Sequence, residues 1–341
     1  MDEAERRRLV GLIRKAGSGE AGIKPLPVLP LPPGWEEFLP PGGAVPRRIG
    51  PVRACLFDVY GTLFCSAAGE VGPEGVPDAA GPDALARELS GSAAPSAPGL
   101  SGEDLRGYFR GRVAAIHREA AGRTQWPEVR VDEIWTDFLR ERGMADGFRP
   151  FGAAGTQAAA GGRELALRYE LAVNPVSPMP GAAETIKAMK RAGCVLGLIS
   201  NAQFFTPLLF EAFFGAPPEE LGFDPELIIW SFEWGEAKPS PRLFGAAAGR
   251  LEAQGIDPGA CLFVGNDMLS DISGAEAAGF RGVLFAGDGR SLRLREGDPR
   301  LRNLQPAVIV RKLGDLPELY RLSRKAHTRQ LWTGSSQQPE A

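Results

Sequence analysis

From residue 181 onward, short apolar runs alternate with amphipathic stretches, and no other feature of the 341-residue chain limits its fold as strongly. The runs cover 195–199, 227–230, 261–264, 283–286 and 307–310, with helical patterns over 182–192, 206–214 and a stretch ending near Ala278. Runs of this length without polar alternation are strands buried on both faces, the condition of a parallel sheet. Separated by helices of about 10–15 residues, they give a doubly wound α/β sheet. Ser240 before Pro241 reads as an N-cap followed by the first helical position, where proline's missing N–H has no partner to lose.

An earlier apolar run, 54–57, joins the same sheet and ends at Asp58, with Gly61 supplying the turn beyond it. A carboxylate at the end of a core strand must be solvated or used. Open α/β sheets bind ligands beyond the carboxyl ends of their strands, so Asp58 has a productive position.

Between that strand and residue 181 the composition changes. Residues 66–101 are dominated by Gly, Ala, Pro and Ser and read as a long mobile loop. Helical spacing follows at Leu105, Tyr108, Phe109, Val113 and Ile116, then at Ile134, Trp135, Phe138 and Leu139, then over 163–172. Residues 65–178 therefore read as a helical cap inserted after the first strand, with a proline-rich hinge at 174–181. The α/β core takes 51–64 and 179–325. Residues 1–50 form a short helix, apolar at Leu9, Val10, Leu12 and Ile13, and a Pro/Gly-rich arm laid over the domain through Trp35 and Phe38. Residues 326–341 read as a disordered tail.

Composition narrows the partners. With 39 basic and 42 acidic residues the net charge is −3, which offers no electrostatic footprint for nucleic acid or an anionic membrane. No apolar run approaches the ~18 residues of a membrane span. Cys55, Cys65, Cys194 and Cys261 show no paired spacing, and buried thiols in a reducing compartment are expected. No apolar signal core follows the charged N-terminus, so the expected location is cytoplasmic and the expected partner a small-molecule substrate. Nothing in the sequence speaks to oligomeric state.

Polar residues then fall, in order, at or just past strand ends: Asp58 with Tyr60 and Thr62, Ser200 with Asn201, Lys238, and Asn266 and Asp267 with Asp271. A parallel sheet gathers them on one edge. Such a set supports nucleophilic catalysis by a carboxylate. Asp58 attacks; Thr62, Ser200 and the Asn201 backbone donate to an anionic group; Lys238 neutralises charge. Asp267 or Asp271 is placed to hold Mg2+ opposite Asp58, because hard oxygen ligands suit that ion. Taken singly, each has a blander reading: Asp58 as a turn former, Ser200 and Asn201 as caps, Asp271 as a charge on a helix dipole. In the cap, His117, Trp126 and Trp135 are core or surface residues before they are ligands.

Asp-Val-Tyr-Gly-Thr, Ser200-Asn201, Lys238-Pro239 and Gly-Asn-Asp-Met-Leu-Ser-Asp resemble the four ordered motifs of the haloacid dehalogenase superfamily, over about residues 52–290. The helical insert resembles that superfamily's C1-type cap. The resemblance implies a Rossmann-like core and a covalent aspartyl intermediate on Asp58, with Lys238 and Asp271 as its catalytic partners. It implies substrate contacts from Tyr60, Thr62, Ser200 and Asn201. It also implies Mg2+ on Asp58, the Tyr60 backbone carbonyl, Asn266 and Asp267. Two positions depart from the pattern. Superfamily phosphatases carry a second aspartate where Tyr60 stands, as acid to the leaving alkoxide, and 2-haloacid dehalogenases have tyrosine there because halide leaves without a proton. Asn266 occupies the usual position of a metal-binding aspartate. The acids retained at 267 and 271 turn the reading toward a Mg2+-dependent phosphatase of a small ester. A metal-free haloacid hydrolase and a non-catalytic binding module on the same fold remain the alternatives.

Overall fold

The computed structural model describes residues 1–17, 23–28, 30–40, 49–68, 81–92, 99–144 and 158–334. Its sheet contains β1 (Ala54–Phe57), β4 (Val195–Ser200), β5 (Phe223–Trp230), β6 (Cys261–Gly265), β7 (Arg281–Phe285) and β8 (Val308–Val310). The spatial order is β5-β4-β1-β6-β7-β8 and every pairing is parallel. Counted among themselves these strands run 3-2-1-4-5-6, so the order reverses between β1 and β6. An open sheet places its ligand crevice at that reversal, beyond the carboxyl ends.

Alternation along β1 divides the core. Cys55 and Phe57 face one layer with Leu198, Leu262 and Val264, whereas Ala54 and Leu56 face the other with Ile229, Phe244 and Phe263. All four β1 residues are fully buried, as a strand covered on both faces requires. The four cysteines are free and buried. Among the described residues no helix is long and apolar enough to cross a membrane.

The cap comprises α2 (Gly81–Ser92), α3 (Gly102–Ala120), α4 (Val131–Glu141) and α5 (Ala158–Val173). Trp135 is its centre: its ring stacks at 5° on Phe109 and lies 4.7 Å from Tyr169, so this tryptophan is cap core. α2 corrects the expectation of a continuous mobile loop over 66–101. Leu85, Ala86 and Leu89 lie at helical spacing on one buried face, and the Gly/Ala/Ser-rich surroundings hid that face. Residues 69–80 and 93–98 of that expected loop lie outside the described residues. The hinge is tied by a two-stranded antiparallel ribbon, β2 (Phe64–Ser66) with β3 (Val176–Pro178).

The N-terminal segment spans core and cap. Helix α1 (Glu3–Gly17) meets α5 through a bidentate Arg163–Glu5 pair at 2.7 and 2.8 Å and an Arg8–Glu164 pair at 2.9 Å. It also meets α7 (Thr206–Phe214), which follows α6 (Ala182–Arg191), through Arg6–Glu211 at 2.7 Å. The arm beyond it buries Leu31 and Phe38 against Met268, Ile272 and Leu284. At the other end, the final helix continues over Leu316–Gly334, past the point at which a disordered tail was expected. No proline or glycine lies between Pro317 and Gly334 to stop it. Residues 335–341 lie outside the described residues.

Candidate active site

β1 delivers Asp58 to the reversal point, and its backbone N–H is fixed there by donation to the Val264 carbonyl of β6 at 2.9 Å. Lys238 arrives from the connection after β5. Its Nζ donates to Asp58 Oδ1 and to Asp271 Oδ1, each at 2.6 Å. Ser200, the last residue of β4, donates its hydroxyl to the same Asp58 Oδ1 at 3.0 Å. Residues 58, 200, 238 and 271, far apart in sequence, thus meet within hydrogen-bond distance. Asp58 Oδ1 is held by two donors, whereas Oδ2 accepts nothing from any described residue.

Lys238 is only 3% exposed at its side chain and Asp271 only 2%. An isolated ion so buried costs several kcal/mol, which the mutual pairing offsets. Burial works against the lysine's charge, but Asp271 and Asp58 outweigh it and hold Lys238 above its usual range. Asp271 is pushed up to about 7 by burial, with Lys238 pulling the other way. Its second oxygen accepts from the Asp267 backbone N–H at 2.9 Å. Gly265 makes that approach possible, because a Cβ there would lie 2.3 Å from Asp271 Cγ.

Asn201 does not point its side-chain oxygen at the cluster's free face. That oxygen accepts the Lys238 backbone N–H at 2.7 Å and so fixes the loop carrying the lysine. The Tyr60 hydroxyl pairs with Thr206 Oγ1 at 2.9 Å, and burial raises the phenol well above its usual range. Tyr60 is therefore a poor proton donor to a leaving group, but its ring lines the cavity described below.

The motif-four residues divide their work. Asn266 Nδ2 donates to the Ser291 carbonyl at 2.6 Å, which turns Oδ1 toward the Asp58 loop, where Thr62 Oγ1 donates to it at 3.1 Å. Gly61, at φ 82°, lets the loop pass: a Cβ there would sit 2.8 Å from Asn266 Cγ. Asp267 is engaged elsewhere. Its Oδ1 caps the π-helical turn Met268–Ser273 by accepting from Leu269 N and Ser270 N, and its Oδ2 pairs with Arg295 Nη2 at 2.6 Å. Arg295 makes this contact from φ 53°, a left-handed conformation that costs a non-glycine residue about 1–3 kcal/mol. Asp267→Ala is expected to lower unfolding stability by about 1–2 kcal/mol, which denaturant titration of the variant checks.

Between core and cap lies a cavity of about 190 Å³. Its core side is formed by Tyr60, Asn201 and Ala237, each within two residues of Asp58, Ser200 or Lys238, and its cap side includes Phe109, Val113 and Glu170. Its described lining contains no lysine or arginine. Among the described residues no group of three or more His, Cys, Asp or Glu side chains is arranged to hold a metal. Of the motif-four oxygens, Asn266 Oδ1 is the one turned toward the loop that follows Asp58.

Sequence reasoning passed over Glu170, Thr206 and Arg295. Glu170 is a single acid in an apolar helix, and Arg295 lies in an irregular loop well beyond motif four, so neither has a spacing that marks it. In the cap, Arg112 is paired with Asp137 at 3.1 Å.

A doubly wound sheet with a buried Asp–Lys–Asp cluster at its order reversal, roofed by an inserted helical cap, defines a cap-bearing α/β hydrolase. A family model for haloacid dehalogenase-like hydrolases matches residues 52–279, and the chain belongs to that family. It is 30% identical over 238 residues to a phosphoserine phosphatase of Thermus thermophilus, covering 63% of this chain and 86% of that protein. It is 27% identical over 146 residues to a ribulose-1,5-bisphosphate 5-phosphatase of Halopiger xanaduensis, covering 42% of this chain and 57% of that one. The match thus spans little more than half of the second relative's length. In fold it is similar to a 2-haloacid dehalogenase of Pseudomonas syringae pv. Tomato, with a TM-score of 0.50 at 20% identity over 79% of this chain and 98% of that structure.

Proposed function

We propose that the chain is a phosphatase that passes the phosphoryl group of a small monoester to Asp58 and then to water. The observation that carries this reading is the asymmetry of the Asp58 carboxylate: Oδ1 held by Lys238 and Ser200, Oδ2 without a partner. Oδ2 attacks phosphorus as the ester P–O bond breaks. Water then attacks phosphorus, the Asp58–phosphoryl bond breaks, and the carboxylate and inorganic phosphate are regained. Lys238, fixed by Asp271 and by Asn201, stays charged beside the reacting carboxylate and needs no rearrangement as charge develops. Similarity to two phosphatases supports the phosphoryl class.

Mg2+ fits the donor set. This ion is bound through one or two carboxylates, with water and substrate phosphate completing its shell. The Asp58 carboxylate, Asn266 Oδ1 and the Tyr60 carbonyl would hold it, and the Ser291 contact is what presents an amide oxygen in place of the amide nitrogen. Bound there, it would offset the negative charge of the phosphoryl oxygens. Asp267 has no part in this set, since Arg295 and the helical turn occupy its oxygens.

A second reading, metal-free hydrolysis of a 2-haloacid, is favoured by Tyr60, because a halide needs no proton on leaving. An aryl phosphate and a 2-chloro acid separate the two. Mg2+-dependent phosphate release, abolished by chelation with EDTA, is expected, with no chloride release. Chloride release that persists in EDTA would reverse the assignment.

A further inference from the structure

An alkoxide leaving group needs a proton, and Tyr60, tied to Thr206, does not supply it. Four other titratable side chains line the cavity: His117 on α3, Glu128 on the α3–α4 connection, and Tyr169 and Glu170 on α5. His117 is exposed at the rim. Glu128 is committed: Oε1 accepts from the Val129 N–H at 2.9 Å and Oε2 from the Ser231 hydroxyl at 2.6 Å. Burial pushes the Tyr169 phenol up to about 12.

Glu170 differs from these. Its Oε1 accepts from Asn174 Nδ2 at 2.9 Å, and its Oε2 has no partner among the described residues. Asn174 is itself fixed at the hinge, where its Oδ1 accepts from the Ser66 hydroxyl at 2.7 Å and the Ala68 N–H at 3.0 Å. The carboxyl of a cap helix is thereby tied to the strand that leaves the Asp58 loop. Tyr60 lies within electrostatic reach of both carboxylates, each of which raises its phenol.

We infer that Glu170, carried by the cap, is the acid that protonates the leaving alkoxide. This rests on the phosphatase reading above. In the first step the electron pair of the breaking P–O bond goes to the ester oxygen, which takes the Glu170 proton as Asp58 Oδ2 bonds to phosphorus. In the second, water oxygen bonds to phosphorus as the Asp58–phosphorus bond breaks, the water's protons leave with the inorganic phosphate, and Glu170 regains its proton from solvent. Burial raises Glu170 to about 7, the Asn174 hydrogen bond working against it, so both protonation states are populated near neutrality. Because the described lining has no lysine or arginine, the leaving alcohol is a small one without negative charge of its own.

Glu170→Gln keeps the acceptor for Asn174 and removes the proton. On n-propyl phosphate its kcat is expected to fall by about 10²- to 10⁴-fold, the usual span of general acid–base catalysis. On p-nitrophenyl phosphate, whose phenolate leaves unaided, little change is expected, which also reports an intact fold. For wild type acting on the alkyl ester, kcat should decline as pH rises through about 7, because the proton is lost from Glu170, and that limb should vanish in the variant. Equal losses on both esters, or an unchanged alkyl rate, would overturn the assignment of Glu170 while leaving the phosphatase reading intact. Wild type that releases phosphate from neither ester would overturn both.

Discussion

Asp58→Asn is expected to abolish turnover, by about 10⁴-fold or more, as removal of a covalent nucleophile does, while the protein stays folded. The asparagine amide fills nearly the same volume at the end of β1, and an amide oxygen still accepts from Ser200 and Lys238 at the place where Oδ1 now does. Lys238 keeps Asp271 as a charged partner. What disappears is the unpartnered Oδ2, since an amide nitrogen has no lone pair with which to attack phosphorus. Steady-state phosphate release together with thermal unfolding checks both halves. A variant retaining more than about a hundredth of wild-type kcat would fall well short of the loss expected for a nucleophile.

Lys238→Met should have the second largest effect, and it should be felt in stability as well as in rate. Removing the ammonium leaves Asp58 and Asp271 buried with no cation between them, and breaking a buried pair in this way costs about 3–5 kcal/mol. That is a large share of the roughly 5–15 kcal/mol that holds a folded domain. The sign of the pH dependence follows. Without the lysine Asp271, which burial already raises, holds its proton more tightly folded than unfolded, so its folded pKa lies above the unfolded ~3.9. Stability is then fully present below that value and is lost as pH rises through the folded value. The deficit relative to wild type is expected to shrink at pH 5 and grow toward pH 8, read from denaturant midpoints. A deficit independent of pH would show that lost packing of the lysine stem, not uncompensated charge, sets the cost. The rate should fall by about 10²- to 10³-fold, the scale for removing one preorganised electrostatic group.

The sheet was legible because each core strand carries an apolar run and such runs admit few structures, although β5 begins at Phe223, ahead of its run, and takes in Asp224 and Glu226. The cluster was legible through its order: Asp58 directly follows such a run, and Ser200, Lys238 and Asp271 fall at or past later strand ends. Each has a blander reading alone, and the parallel order of the strands brings them together. The direction of a side chain carries no such signal. Asn266 and Asp267 are adjacent in the same motif, yet Ser291 and Arg295, from a loop with no pattern, send one toward Asp58 and the other away. α2 was hidden because alanine and glycine blur the contrast on which helical periodicity depends. Glu170 was hidden because a lone acid on a cap helix has many uses, and only the cavity around it and the hinge asparagine distinguish one.

A phosphatase working in this way forms a transient bond between Asp58 and the substrate's phosphorus. Mixing the enzyme with an aryl phosphate and Mg2+, quenching during turnover, reducing with borohydride and sequencing the peptides by mass spectrometry looks for that bond directly. An acyl phosphate is reduced to an alcohol whereas a free carboxylate is not. Conversion of Asp58 to homoserine, dependent on substrate and absent from every other aspartate, is the predicted result. Rapid turnover that leaves Asp58 unmodified at every quench time, with another residue labelled in its place, would contradict it.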